Sequence, residues 1–343
     1  MPFGGNDWLA LTQEETLEPE IPICDPHHHF WDFRDARIPY QRYLLHELSA
    51  DLNSGHNVKS TVFIECRSMY RADGPEEMRP VGEVEFVQGL AAASSNGAYG
   101  PSRAAAAIVG HANLNLGDRV EPVLEALRTA SPNRFRGIRH SVTWDRHPEV
   151  ENTSAHNMEG QLSSDNFRVG ARVLARMGLS LEGWLYFPQL PELADFARAV
   201  PELTIILNHI GGLLRVGPYA DPPKADEVLA TWRSGIAAVA ACPNVNVKLG
   251  GIGMTRTGFD WHARNQPIGS EELAGSMAPF MDYCIEQFGP DRSMFESNYP
   301  VDKVSYSYNV MYNAFKRMST GYSATERAAL LHDTAARVYR IGV

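Results

Sequence analysis

The sequence predicts an α/β fold of one particular kind, the closed (β/α)8 or TIM barrel. Three observations carry that prediction. Eight short apolar runs alternate with longer stretches of helical period along the chain. Polar or ionisable residues end nearly every run, as at the mouth of a barrel. No GxGxxG follows the first run, so the competing open, doubly wound sheet lacks its usual signature.

The runs cover residues 21–25, 58–66, 104–111, 135–142, 179–187, 203–208, 245–249 and 292–297. They are almost continuously apolar, as parallel strands covered on both faces must be. Helical period marks residues 81–93, 119–129, 167–177, 192–200, 225–241, 271–288, 306–318 and 324–339. Gly178 stands where a glycine ends a helix, and Ser323 with Glu326 reads as a capping box. A length of 343 residues invites a two-domain reading, but barrels of this class run to about 250 residues or more as one domain. Residues 1–20 therefore read as an N-terminal extension and residues 21–343 as a single barrel. The segment 69–86, MYRADGPEEMRPVGEVEF, is too charged for core and is a candidate lid or contact between subunits of a homo-oligomer.

A formal net charge of −10 argues against nucleic-acid and anionic-membrane partners, which reward basic patches. A small-molecule substrate is the partner expected instead. The four cysteines, Cys24, Cys66, Cys242 and Cys284, form no CxxC pair and read as buried thiols. The first twenty residues lack the basic and apolar regions of a secretory signal. No apolar stretch reaches membrane-spanning length. A cytoplasmic enzyme is the expectation.

Catalytic groups of a barrel project from the C-terminal ends of its strands. Those ends here carry His27-His28-His29, Glu65 with Arg67, His111, Arg139-His140, Tyr186, Asn208-His209, Lys248, and Glu296 through Asp302. So many polar groups are costly to gather at one mouth without a use. On an extended strand His27 and His29 point the same way and His28 the other, which suits two imidazoles on one metal or one substrate. A solvated HHH loop is the alternative. Arg67, Arg71, Arg136 and Arg139 are candidates for bidentate carboxylate binding, with structural ion pairs to Glu83 or Glu85 as the competing use. Trp31, Phe33, Trp144, Trp184 and Tyr186 could line a flat, ring-sized pocket or simply pack the core.

DPHHHFWD in the first strand, NHIGG in the sixth and FESNYPVD in the eighth resemble the amidohydrolase superfamily. The resemblance spans about residues 21–340 and is nearest to the branch of pyrone-dicarboxylate and sugar lactonases. It is more distant to the semialdehyde decarboxylases. It implies His27, His29 and His209 as metal ligands, with zinc first among the candidate ions and metal-free operation the alternative. The family's eighth-strand motif reads like FGSDWP, and its aspartate falls here on Asn298, which takes no proton and ligates a divalent ion poorly. The fifth-strand histidine of the decarboxylases is replaced by Tyr186-Phe187-Pro188-Gln189.

The function this implies is opening of a small carboxylated or sugar-like lactone by water. His27, His29 and His209 polarise the carbonyl, directly or through an ion, and Asp302 or Glu65 deprotonates water, with Glu296 another source of a carboxylate. Arg67, Arg139, His140, Tyr186 and Asn298 hold the substrate. Decarboxylation of an aromatic or muconate-type acid, and a non-catalytic binding barrel, are the two alternatives.

Overall fold

The computed structural model describes residues 4–32, 40–154 and 156–342. Eight strands form one sheet in chain order, every neighbouring pair parallel. They are β1 (Pro22–His28), β2 (Asn57–Ile64), β3 (Arg103–Gly110), β4 (Phe135–Arg139), β5 (Ser180–Gly183), β6 (Ile205–Leu207), β7 (Val245–Leu249) and β8 (Ser293–Phe295). The last strand meets the first: Tyr299 bridges to His28 in parallel sense, and the His29 N–H donates to the Tyr299 carbonyl at 2.8 Å. Such a sheet is the nearly closed wall of a (β/α)8 barrel.

Helices follow the strands in turn: α1 (Leu45–Leu52), α2 (Val81–Ser94), α3 (Glu121–Ala130), α4 (Asp165–Arg176), α5 (Leu190–Ala199), α6 (Ala225–Ala240), α7 (Ser270–Phe288) and α8 (Tyr308–Met318). The capping box at Ser323 is present, with the Glu326 N–H donating to Ser323 Oγ at 3.3 Å. The helix it opens is broken by a π-helical turn at Ala329–Asp333. No described helix is long and apolar enough to cross a membrane.

Two apolar layers hold the wall. The outer one lies between strands and helices, with Phe63, Ile108 and Ile138 facing Val84, Leu124 and Leu174. The inner one fills the barrel floor with Cys24, Val62, Val109, Ile206 and Met294, closed by Ala335 and Tyr339 from the C-terminal helix. All four cysteines are free and buried. Leu17 and Glu18 of the N-terminal segment dock on α8, where Lys316 Nζ donates to both carbonyls at 2.8 Å.

β5, β6 and β8 are shorter than the apolar runs that predict them. Residues just past their C-terminal ends carry side chains to the mouth. This places Trp184, His209 and Glu296 just beyond strand ends.

Candidate active site

The site is assembled where β1, β6 and β8 end. The β1 register shifts between Asp25 and His28. The Asp25 carboxylate secures that irregular stretch by accepting from the His27 N–H at 3.2 Å, the Ser297 N–H at 3.0 Å and the Tyr308 hydroxyl at 3.1 Å. Burial pushes its pKa up to about 6 against those donors. The His27 and His29 rings lie 4.9 Å apart, nearly perpendicular. His28 goes the other way, edge-on to Phe30 and Phe63. His29 Nδ1 bonds the Ile64 carbonyl at 2.8 Å, and its ring stacks on Trp31.

After β6 the chain turns tightly through NHIGG. His209 and Ile210 both take positive φ, of 53° and 47°. Gly212 must be glycine because a Cβ there would collide with the Leu185 carbonyl. The turn carries the His209 ring to 4.6 Å from His27. Left-handed backbone at non-glycine residues is a cost that surrounding contacts must hold, and such strain gathers at functional sites.

Glu296 joins the two rings. His209 Nδ1 donates to Glu296 Oε1 at 2.7 Å, and the His209 N–H donates to the same oxygen at 3.1 Å. Glu296 Oε2 stands 2.6 Å from His27 Nδ1 but out of line for a hydrogen bond. Burial pushes the Glu296 carboxyl up to about 8, with the nearby Lys248 pulling the other way, so at pH 7 the anion is the minor form, favoured once an imidazolium or a bound cation stands beside it. Burial, then Arg139 and Lys248, hold His209 well below the usual imidazole range, so it is neutral at pH 7. Its proton sits on Nδ1 by the logic of that hydrogen bond, which leaves Nε2 as the basic atom.

Two buried ion pairs flank His27. Arg139 Nε donates to Glu65 Oε1 at 2.8 Å, and Arg139 Nη1 lies 3.4 Å from His27 Nε2. Burial opposes the Glu65 charge, yet the guanidinium outweighs it and holds the carboxyl below its ordinary value. Glu65 Oε2 is buried without a hydrogen bond. On the other side Lys248 Nζ pairs with Glu182 Oε2 at 2.8 Å and lies 3.5 Å from His27 Nδ1.

The other sequence candidates stand further out. Asp302 accepts from the Gly253 N–H at 2.9 Å, Tyr306 Oη at 2.8 Å and Asn298 Nδ2 at 2.7 Å, tying the loops after β7 and β8 together. Asn298 is thus turned toward Asp302, with φ of 55°. His140 has both ring nitrogens occupied, by the Leu114 N–H at 3.2 Å and Gln161 Nε2 at 3.2 Å. Arg67 is exposed and donates to the Thr153 carbonyl at 3.1 Å. Tyr186 donates to the Glu151 carbonyl and accepts from Arg256. Arg71 pairs with Glu85, and Arg136 holds the Tyr339 carbonyl at 2.7 Å, so both serve structure. Trp184 is edge-on to His209 with ring centres 4.7 Å apart. Phe33 lies outside the described residues.

Sequence reasoning left Glu182 and Arg256 unnoticed. Glu182 had a signal, a carboxylate inside an apolar run. Arg256, over the Trp184 and Tyr186 rings, follows β7 in a loop with none.

His27, His209 and Glu296 offer donor atoms that all lie within 4.8 Å of one another. Two imidazoles and a carboxylate are a donor set that holds zinc in catalytic sites. The Glu296 oxygen left without a hydrogen bond is one such an ion would satisfy. The residues therefore fit a divalent ion.

The chain is 32% identical over 340 residues to y4mH of Sinorhizobium fredii, covering 94% of this chain and 99% of that one. It is 25% identical over 326 residues to L-fucono-1,5-lactonase of Burkholderia multivorans, covering 92% and 95%. A crystal structure of a Burkholderia multivorans amidohydrolase with bound zinc superimposes with a TM-score of 0.68 at 24% identity, over 93% of this chain and 99% of that one. The model of the amidohydrolase family matches residues 24–341, and the chain belongs to that family.

Proposed function

We propose that this protein is a hydrolase that opens a small lactone by attack of water on the ring carbonyl. The observation that carries the reading is the Glu296 carboxylate set against two imidazoles, with His209 Nδ1 fixed at 2.7 Å. A carboxylate that orients a neutral histidine makes the other ring nitrogen a positioned base. The similarity to L-fucono-1,5-lactonase supports lactones as the substrate class.

His209 Nε2 takes a proton from water as the water oxygen bonds to the carbonyl carbon. Glu296 stabilises the imidazolium so formed. Arg139, aimed across His27 by Glu65, is the fixed positive charge nearest the developing oxyanion. When the intermediate collapses the ring C–O bond breaks, and the proton on His209 passes to the departing ring oxygen. The product is the open hydroxy acid. A divalent ion, where bound, would be held by His27, His209 and Glu296 and would polarise the carbonyl as a Lewis acid, His209 Nε2 then serving as its ligand rather than as the base. Trp184, edge-on to His209, borders the site, and Arg256 lies over its ring.

The test is a panel of sugar-derived and carboxylated lactones followed by acid release, beside aromatic acids followed by carbon dioxide release. Ring opening is expected, with His209→Asn lowering kcat by about two orders of magnitude or more while the circular dichroism is unchanged. Carbon dioxide from an acid with no lactone opened, or ring opening undiminished in the variant, overturns the reading.

A further inference from the structure

A lysine and a glutamate lie buried inside the barrel beneath the site. Lys248 on β7 and Glu182 on β5 have wholly inaccessible side chains and pair at 2.8 Å. Glu182 also accepts from Asn208 Nδ2 and from the Tyr339 hydroxyl. These contacts anchor the carboxylate and leave the ammonium facing His27, 3.5 Å from Nδ1. On the opposite edge of the same ring, Arg139 Nη1 stands 3.4 Å from Nε2. Whichever nitrogen His27 offers to an ion, a fixed cation stands beside it.

We infer that Lys248, held in place by Glu182, sets how tightly this site binds a divalent metal ion, acting as a resident positive charge that competes with the ion for His27 and Glu296. In a buried, low-dielectric setting charges of one sign repel far more strongly than in water. The donor set alone would hold zinc firmly, and the ammonium weakens it. A weakly held ion leaves the His209 imidazole available for proton transfer. The inference concerns binding alone and stands whether or not the substrate is a lactone.

The experiment is calorimetric titration of zinc chloride, and separately manganese chloride, into the full-length protein after dialysis against a chelator. The Lys248→Met/Glu182→Gln double variant removes both charges together, since deleting one partner leaves a buried unpaired charge. It should bind zinc at least tenfold more tightly than the parent. Glu182→Gln alone leaves the ammonium without its counter-charge and should bind zinc more weakly than the parent. Lys248→Arg keeps the charge and should leave affinity within threefold. General loosening of the site would weaken all variants alike, so opposite signs in the single and double variants identify the charge as the cause. Should the double variant fail to fold, Lys248→Gln/Glu182→Gln takes its place, with the same gain in zinc affinity expected and its absence overturning the inference. A parent protein that keeps one equivalent of zinc through chelator dialysis overturns the inference, as does a folded double variant with no gain in affinity, or tighter zinc binding by Glu182→Gln.

Discussion

Gly251, two residues beyond β7, puts the rigidity of the site to a single-atom test. Its φ is +68°, and a Cβ built on it would stand 2.5 Å from His209 Cβ and nearer still to the imidazole ring. Carbon atoms in comfortable contact lie about 3.5–4.0 Å apart, so Gly251→Ala demands that backbone and ring separate by about 1 Å. The ring has little room to retreat. Its Nδ1 is held by Glu296 at 2.7 Å, Trp184 lies against it, and its own backbone is already left-handed. Gly250 closes the other way out, because its Cβ position is 2.5 Å from the Glu296 carbonyl oxygen. A displacement of about 1 Å at a catalytic group lowers turnover by about a hundredfold. Left-handed alanine costs about 1–2 kcal/mol and overpacking about 1–3 kcal/mol more, so the folded state should lose several kcal/mol in total. The assay is kcat on whichever lactone the panel identifies, with a urea midpoint on the same sample. A stability loss of this size with turnover unchanged would refute the claim that the base is pinned. Unchanged stability would refute the clash itself.

Gly275, inside α7, is the opposite case. A Cβ there meets nothing within 4 Å, so Gly275→Ala should stabilise the protein by about 0.5–1 kcal/mol, read as a higher urea midpoint. Asp302 carries a pH signature: burial raises its pKa to about 7, against 3.8 in the unfolded chain. Between those values the folded protein holds a proton that the unfolded chain has lost, so this carboxyl makes the parent less stable as pH rises toward 7. Asp302→Asn lacks that loss, and its stability relative to the parent should climb from pH 4 to pH 7 and then level off. A difference independent of pH in that range would show that Asp302 is ionised throughout.

The barrel was legible because each strand–helix unit shows a change of period, and period survives the loss of all tertiary information. Strand lengths were less legible. The run at residues 179–187 is apolar apart from Ser180 and Glu182, but only Ser180–Gly183 pairs in the sheet. Trp184 and Tyr186 are as apolar as strand residues, and their composition does not tell that they lie beyond the end of the strand. The HxH spacing was legible for a geometric reason, since alternate residues of a strand share a face. His140 sits at the end of β4 like the others, yet the Leu114 N–H and Gln161 take both its nitrogens. Sequence gives the position of a side chain along a strand, and partners supplied from distant loops decide its use.

The carboxylate at the end of β8 stands at a different position from the one the resemblance implies. The resemblance places an acidic residue at position 298, where this chain has asparagine, and two residues earlier stands Glu296. Glu296 is wholly buried, and burial pushes its carboxyl up to about 8. To remain useful as an anion it needs a cation below it, and Lys248 from β7 is the positive charge that most lowers it. Lys248 in turn needs a counter-charge, which Glu182 supplies at 2.8 Å. The lysine and glutamate buried in β7 and β5 thus both bear on the charge of the one carboxylate at the end of β8, Lys248 lowering its pKa and Glu182 raising it. Asn298 instead donates to Asp302 at 2.7 Å and helps tie the loops after β7 and β8 together.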